Sequence, residues 1–151
     1  MFRAGCELSQ ITDFLKNKLR NTDRLTKLTI IDPYFYNYSH SKFSIPKEII
    51  VNTLKEFTLL KTLEVVTPTT YTVSKKEKLE KEIKEAVPSI ENINVLHVDG
   101  FHDRFWIMNE NKGFLVGTSL NGMGNKHFFI QDEFLSDKDI IELLSIYRDS
   151  N

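Results

Sequence analysis

Apolar residues recur at three- and four-residue spacing from Leu8 to Leu19 (Leu8, Ile11, Phe14, Leu15, Leu19), which predicts a first helix with one buried face. Leu28 to Ile31 is a short β-rich run. It ends at Asp32-Pro33, because proline cannot continue a ladder and restricts the residue before it. Residues 34–43 have no period and read as a loop. Pro46 then suits the first turn of a second helix, whose apolar face is Ile49, Ile50, Thr53, Leu54 and Phe57. Leu63–Val66 predicts the second strand. Ser74 with Glu77 three residues on predicts a capping box for a third helix reaching about Val87.

Ile93–Val98 predicts the third strand. Arg104–Met108, the polar turn Asn109 to Gly113 and the apolar run Phe114–Val116 read as a hairpin. A glycine-rich segment, Gly117–Gly124, leads to a further strand at His127–Ile130. Ser136 caps a last helix that packs through Ile140, Leu143, Leu144 and Tyr147. The order of elements predicts an α/β fold, a mixed sheet with helices on both faces. Neither an internal repeat nor a dividing linker is visible, so the whole chain, 1–151, reads as one domain. Its start just before a helix is what a domain excised from a longer parent chain would show.

Composition narrows the function classes. Twenty Lys and Arg against 21 Asp and Glu argue against a generally basic nucleic-acid binder, leaving room only for a local basic patch. The lysines of residues 75–84 alternate with glutamates and mark a solvated helix rather than such a patch. A single cysteine, Cys6, can form neither an intrachain disulfide nor a metal cluster, which predicts a reducing cytoplasm and no metal or cofactor. No apolar run approaches the ~18 residues of a membrane span, and residues 1–10 lack the apolar core of a secretory signal.

The candidate chemistry lies in Phe101-His102-Asp103-Arg104 and, after the hairpin, Gly117-Thr118-Ser119-Leu120-Asn121. Strand alternation would put His102 and Arg104 on one side and Asp103 on the other. Ser119 and Asn121 add a hydroxyl and an amide, and the glycines allow backbone N–H groups to approach an anion. Together these groups suit a phosphate. Asp32 stands at the end of a central strand, where open α/β sheets gather functional groups; it either serves a ligand or caps the Pro33-Tyr34 turn. The aromatic run Tyr34, Phe35, Tyr36, Tyr38, Phe43 either stacks bases or, as is commoner, packs its loop on the core. His97 and His127 either face the site or, as is commoner for a single histidine, pack; His40 reads as a loop residue, and Trp106 as filling the core or a dimer seam.

This arrangement resembles the HxKxxxxD…GSxN signature of the phospholipase D superfamily, and the chain has the length of one half of such an enzyme. The resemblance implies that His102 stands at the nucleophile position, Arg104 at the phosphate-gripping lysine, Thr118 to Asn121 at GSxN, and Asn109 at the aspartate. Gly117, Thr118, Asp32 and Tyr34 then fall around the ligand. A second likeness runs from Ile30-Ile31-Asp32-Pro33-Tyr34 through Ile49–Phe57, Phe101 to Arg104, Lys112-Gly113-Phe114 and Gly117. It is similar to the phospholipase-D-like C-terminal domain of MIT-domain proteins, which implies a dimer that binds lipid without catalysis.

Three functions follow as expectations. The first is a degenerate phospholipase-D-like module that dimerises and binds a phosphate group or a partner with weak or no turnover. The second is a homodimeric, metal-independent phosphodiesterase or nuclease, in which His102 attacks phosphorus and His102 of a second copy protonates the leaving oxygen. The third is an interaction unit without a ligand.

Overall fold

The computed structural model describes residues 1–149, the side chain of His40 excepted. Helix α1 spans Leu8–Leu19, strand β1 Lys27–Ile31, α2 Ser44–Leu54, β2 Thr62–Thr67, α3 Val73–Ala86 and β3 Asn92–His97. Strands β4 (Phe105–Met108) and β5 (Lys112–Leu115) form the hairpin, and α4 spans Asp137–Asp149. The five strands lie in the order β3-β2-β1-β4-β5. The first three are parallel, and β4 and β5 run antiparallel to their neighbours. The fold is therefore α/β with a mixed sheet, as the alternation of elements predicts.

Alternation along the strands divides the core in two. Leu28, Ile30, Leu63, Val65, Trp106 and Met108 face α1, α2 and α3. Ile31, Val66, Phe105 and Ile107 face α4 through Ile140, Leu144 and Tyr147. Helices thus cover both faces, three on one and one on the other. Strands β1, β2 and β4 bury nearly all of their apolar surface, each fully buried side chain contributing roughly 1.5–3 kcal/mol before entropy is set against it, whereas Ile93, Val95 and Leu96 of β3 are only half-buried. Trp106 is a core residue, its ring 6.1 Å from that of Phe114.

Some expectations are corrected. Helix α3 starts from Thr72, and no side-chain cap closes it. Ser74 already lies in the first turn, so its pairing with Glu77 is not a capping box. Residues 127–130 make isolated bridges instead of a strand, Phe128 with Phe2 and Ile130 with Val116, because two different segments claim its two ends. The hairpin turn is also tighter, with Lys112 and Gly113 already in β5; a Cβ at Gly113 would lie 3.0 Å from the Trp106 carbonyl oxygen. The Ser136 cap is present, its Oγ accepting from Asp139 N–H at 3.2 Å. Residues 40–42 form a short 3-10 turn within the loop.

The two edges of the sheet are treated differently. The outer edge of β5 is closed by the following chain, with Gln131 N–H donating to Leu115 O at 2.9 Å and Leu135 N–H to Gly113 O at 2.8 Å. That covering segment is fastened to α1 by Lys18, whose ammonium donates to the Asp132 carbonyl and lies 4.7 Å from the centre of the Phe134 ring. No segment among the described residues covers β3 on its outer side.

Candidate functional site

Strand register builds the site. Strand β1 pairs β4 with Ile31 opposite Phe105, so the next pair outward sets Asp32 beside Arg104. On the other side Val116 N–H donates to Arg104 O at 2.9 Å, which brings the Gly117–Asn121 loop to the same end of the sheet. This is the C-terminal end of the parallel strands. It is also where the strand order reverses, since β2 and β3 were added on one side of β1 and β4 and β5 on the other; such switch points leave a crevice for ligands.

A hydrogen-bonded chain runs through that point. Arg104 Nε donates to Ser119 Oγ at 2.8 Å, and Ser119 Oγ donates to Asp32 Oδ1 at 2.7 Å. A hydroxyl has one proton, and here it is committed to Asp32, so Ser119 orients the guanidinium rather than offering a donor outward. Asp32 is 3% exposed. Its carboxylate also accepts from Tyr34 N–H at 2.8 Å and Leu120 N–H at 3.3 Å. It therefore caps the Pro33-Tyr34 turn and braces the site from below at once. Burial holds its pKa above the ordinary carboxylate value, against the lowering effects of Ser119, the two backbone N–H groups and the Arg104 charge.

Above this chain lies a cavity of about 340 Å³ walled by Tyr34, Arg104, Thr118, Ser119, Asn121 and Lys126. Its walls contain two cations and no carboxylate. Arg104 keeps its terminal nitrogens free of hydrogen bonds to described residues, and its guanidinium carbon lies 6.0 Å from the centre of the Tyr34 ring. Asn121 Nδ2 makes one long bond, 3.4 Å, to Asn37 O. Gly122 makes room for both Thr118 and Lys126: a Cβ there would overlap Thr118 Oγ1 and meet Lys126 Cδ at 3.5 Å. Gly117 does the same for loop closure, since its Cβ would lie 2.7 Å from the Phe129 carbonyl oxygen. Lys126 went unread in the sequence. A lone lysine after three glycines and an asparagine carries no period or motif, and only the fold of the loop brings it to Arg104.

His102 has a different setting. Residues 101–104 lie outside the ladder, with Gly100 at φ 80° and Phe101 packed edge-on against Tyr147 at 5.2 Å. Strand alternation therefore does not hold at His102, which is exposed, makes no hydrogen bond to described residues and is not part of the cavity wall. The other histidines with described side chains are occupied elsewhere: His127 Nδ1 accepts from Ala4 N–H at 3.0 Å, and His97 Nε2 bonds the Tyr71 hydroxyl. Of the aromatic run, Phe35, Tyr36 and Tyr38 are buried in the core, and Tyr34, 44% exposed, alone faces the cavity.

Asn109 stands at the far end of β4, roughly 16 Å from Arg104 at the rise of an extended strand. Its Oδ1 accepts from Thr26 N–H at 2.9 Å and Lys27 N–H at 3.0 Å, and its Nδ2 donates to Arg24 O at 2.6 Å. Its backbone is left-handed, φ 48°, which asparagine tolerates better than most residues. It clasps the start of β1.

Neither a protein-family model nor a curated protein matches this chain.

Proposed function

We propose that the chain is a phospholipase-D-like module that holds a phosphate-type anion at Arg104 with weak or no turnover. The observation that carries this reading is the cavity wall itself. Arg104 is aimed by Ser119 and Asp32 from below, Lys126 stands in the same wall, and no carboxylate lines the cavity itself. Charge-assisted bonds from a guanidinium fork are the strong ones for a phosphate oxygen pair, with Asn121 and Thr118 as neutral donors beside it.

Weak or absent turnover is supported by what stands outside the wall. An attacking imidazole must reach phosphorus and be oriented, and a second group must protonate the leaving oxygen. His102 is exposed without an orienting hydrogen bond from any described residue, and the bonds of His97 and His127 lie elsewhere. A phosphodiesterase would need His102 from a second copy at the same cavity. Homodimerisation, a cytoplasmic setting for Cys6 and attachment to further domains of a parent chain belong to the same proposal. No helix among the described residues is long and apolar enough to cross a membrane.

Titration of the purified domain with inorganic phosphate, a nucleoside monophosphate and a chromogenic phosphodiester, in EDTA, tests the reading. Saturable binding lost in Arg104→Ala and retained in His102→Ala, without hydrolysis, is the expected result. Hydrolysis abolished by His102→Ala would replace it with the phosphodiesterase. Absence of binding by folded protein would leave only the interaction unit.

A further inference from the structure

We infer that β3 is the seam between two copies of this chain, paired edge to edge about a twofold axis through Asn94. The inference deepens the dimer in the proposed function and is independent of the phosphate site. Proteins normally blunt an open edge with charges, proline, a bulge or a covering segment. The β5 edge has such a cover, supplied by residues 131–135. Strand β3 has none among the described residues: Asn92-Ile93-Asn94-Val95-Leu96-His97 contains no Lys, Arg, Asp, Glu, Pro or Gly, and it pairs β2 in continuous register over all six residues.

The geometry favours a second copy as the occupant. Asn92 N–H and Val98 N–H point inward, to Lys61 O and Thr67 O, so alternation turns the backbone groups of Ile93, Val95 and His97 outward. Antiparallel pairing about Asn94 sets Ile93 opposite the partner's Val95 on one face, two β-branched pairs of the kind that stabilise sheets, and Asn92 opposite Leu96 on the other. Centring on Val95 instead would oppose Ile93 to a histidine. The neighbouring α3 carries lysine and glutamate interleaved, and the net charge is only −1, so no single-sign field drives two copies apart. The result is one continuous ten-stranded sheet.

This seam separates the sites. At about 4.8 Å per strand, the two β1 strands stand roughly 24 Å apart with their C-terminal ends pointing in opposite directions. Two copies joined here cannot bring both His102 side chains to one phosphate.

The test combines hydrodynamics with a cross-link. Residues 94 and its mate form a non-hydrogen-bonded antiparallel pair, with Cα atoms about 4.5 Å apart, within disulfide range. In a Cys6→Ser background, Asn94→Cys is expected to oxidise rapidly to a covalent dimer, and Ser145→Cys, on exposed α4, is not. Val95→Pro removes an outward N–H while leaving the β2 ladder intact, and is expected to convert a sedimenting dimer to a folded monomer that still binds inorganic phosphate. A monomeric wild type, a dimer surviving in folded Val95→Pro, or Asn94→Cys oxidising no faster than Ser145→Cys would each overturn the seam. Loss of phosphate binding would count against the site instead.

Discussion

The two ends of β4 differ in what they are built to hold. At its start Arg104 reaches into an open cavity, fixed by one bond to Ser119 and with its terminal nitrogens making no hydrogen bond to described residues. At its end Asn109 spends both side-chain ends on the backbone of residues 24–27. One sequence motif therefore spans a cavity end and a scaffold end, and a residue's place in a motif does not by itself give it chemistry. Asparagine at 109 is a clasp whose amide donor a carboxylate could not replace.

The strongest way to separate the ends is Arg104→Ala. Charge-assisted hydrogen bonds contribute about 1.5–3 kcal/mol each, so phosphate affinity should fall about 10- to 100-fold, read by calorimetric titration, with little change in unfolding midpoint. Arg104→Lys should recover part of that affinity, since an ammonium keeps the charge without the fork. Asn109→Ala should do the reverse. Losing the clasp at a left-handed residue should cost about 2 kcal/mol in denaturant unfolding and leave affinity of the folded fraction unchanged. Asn109→Asp keeps the acceptor for Thr26 and Lys27 but turns a carboxylate toward Arg24 O. It should cost about 1 kcal/mol and create no phosphodiesterase activity; gain of hydrolysis would break the comparison.

Much of the scaffold end was legible. The three- and four-residue spacing of Leu8 to Leu19 gives α1 to the residue, and the Ser136 cap and its four apolar partners give α4, because both depend on contacts within one turn or one face. The cavity end was legible as a set of residue types and not as an arrangement. Asp32 meets Ser119 across 87 positions, through a register that only the assembled sheet sets. His102 was expected to share a face with Arg104, and the ladder stops short of it. The strand read at residues 127–130 has the right composition, yet its partner Phe2 lies at the other end of the chain, where no local pattern announces it.

Beneath Arg104, acidity provides a finer probe. The folded-state pKa of Asp32 is raised, so the protein holds that proton more tightly than the unfolded chain does. The stabilisation linked to it is complete below the ordinary carboxylate pKa and is lost as pH rises through the raised folded value. Asp32→Asn should abolish that portion of the pH slope, at most about 1.4 kcal/mol per pH unit. It should also lower stability at every pH by an offset, because an amide nitrogen would face the Leu120 or Tyr34 N–H. Urea unfolding at a series of pH values reads both, and an unchanged slope would mean that Asp32 is not the group titrating.

The smallest expected effect falls on Lys126, and it bears most directly on how the proposed site would select an anion. Its stem lies along Gly122 and its charge stands at the solvent-exposed rim, where screening over about 8 Å at physiological salt weakens any pairing. Lys126→Ala should weaken phosphate binding about three-fold at low salt and less at high salt, as rim charges do. The loss from Arg104→Ala should persist at high salt, because its bonds depend on contact geometry as well as charge. If the two losses were equally salt-sensitive, Arg104 would be acting as a second diffuse rim charge, and the Ser119–Asp32 brace beneath it would have to be read as serving the fold alone.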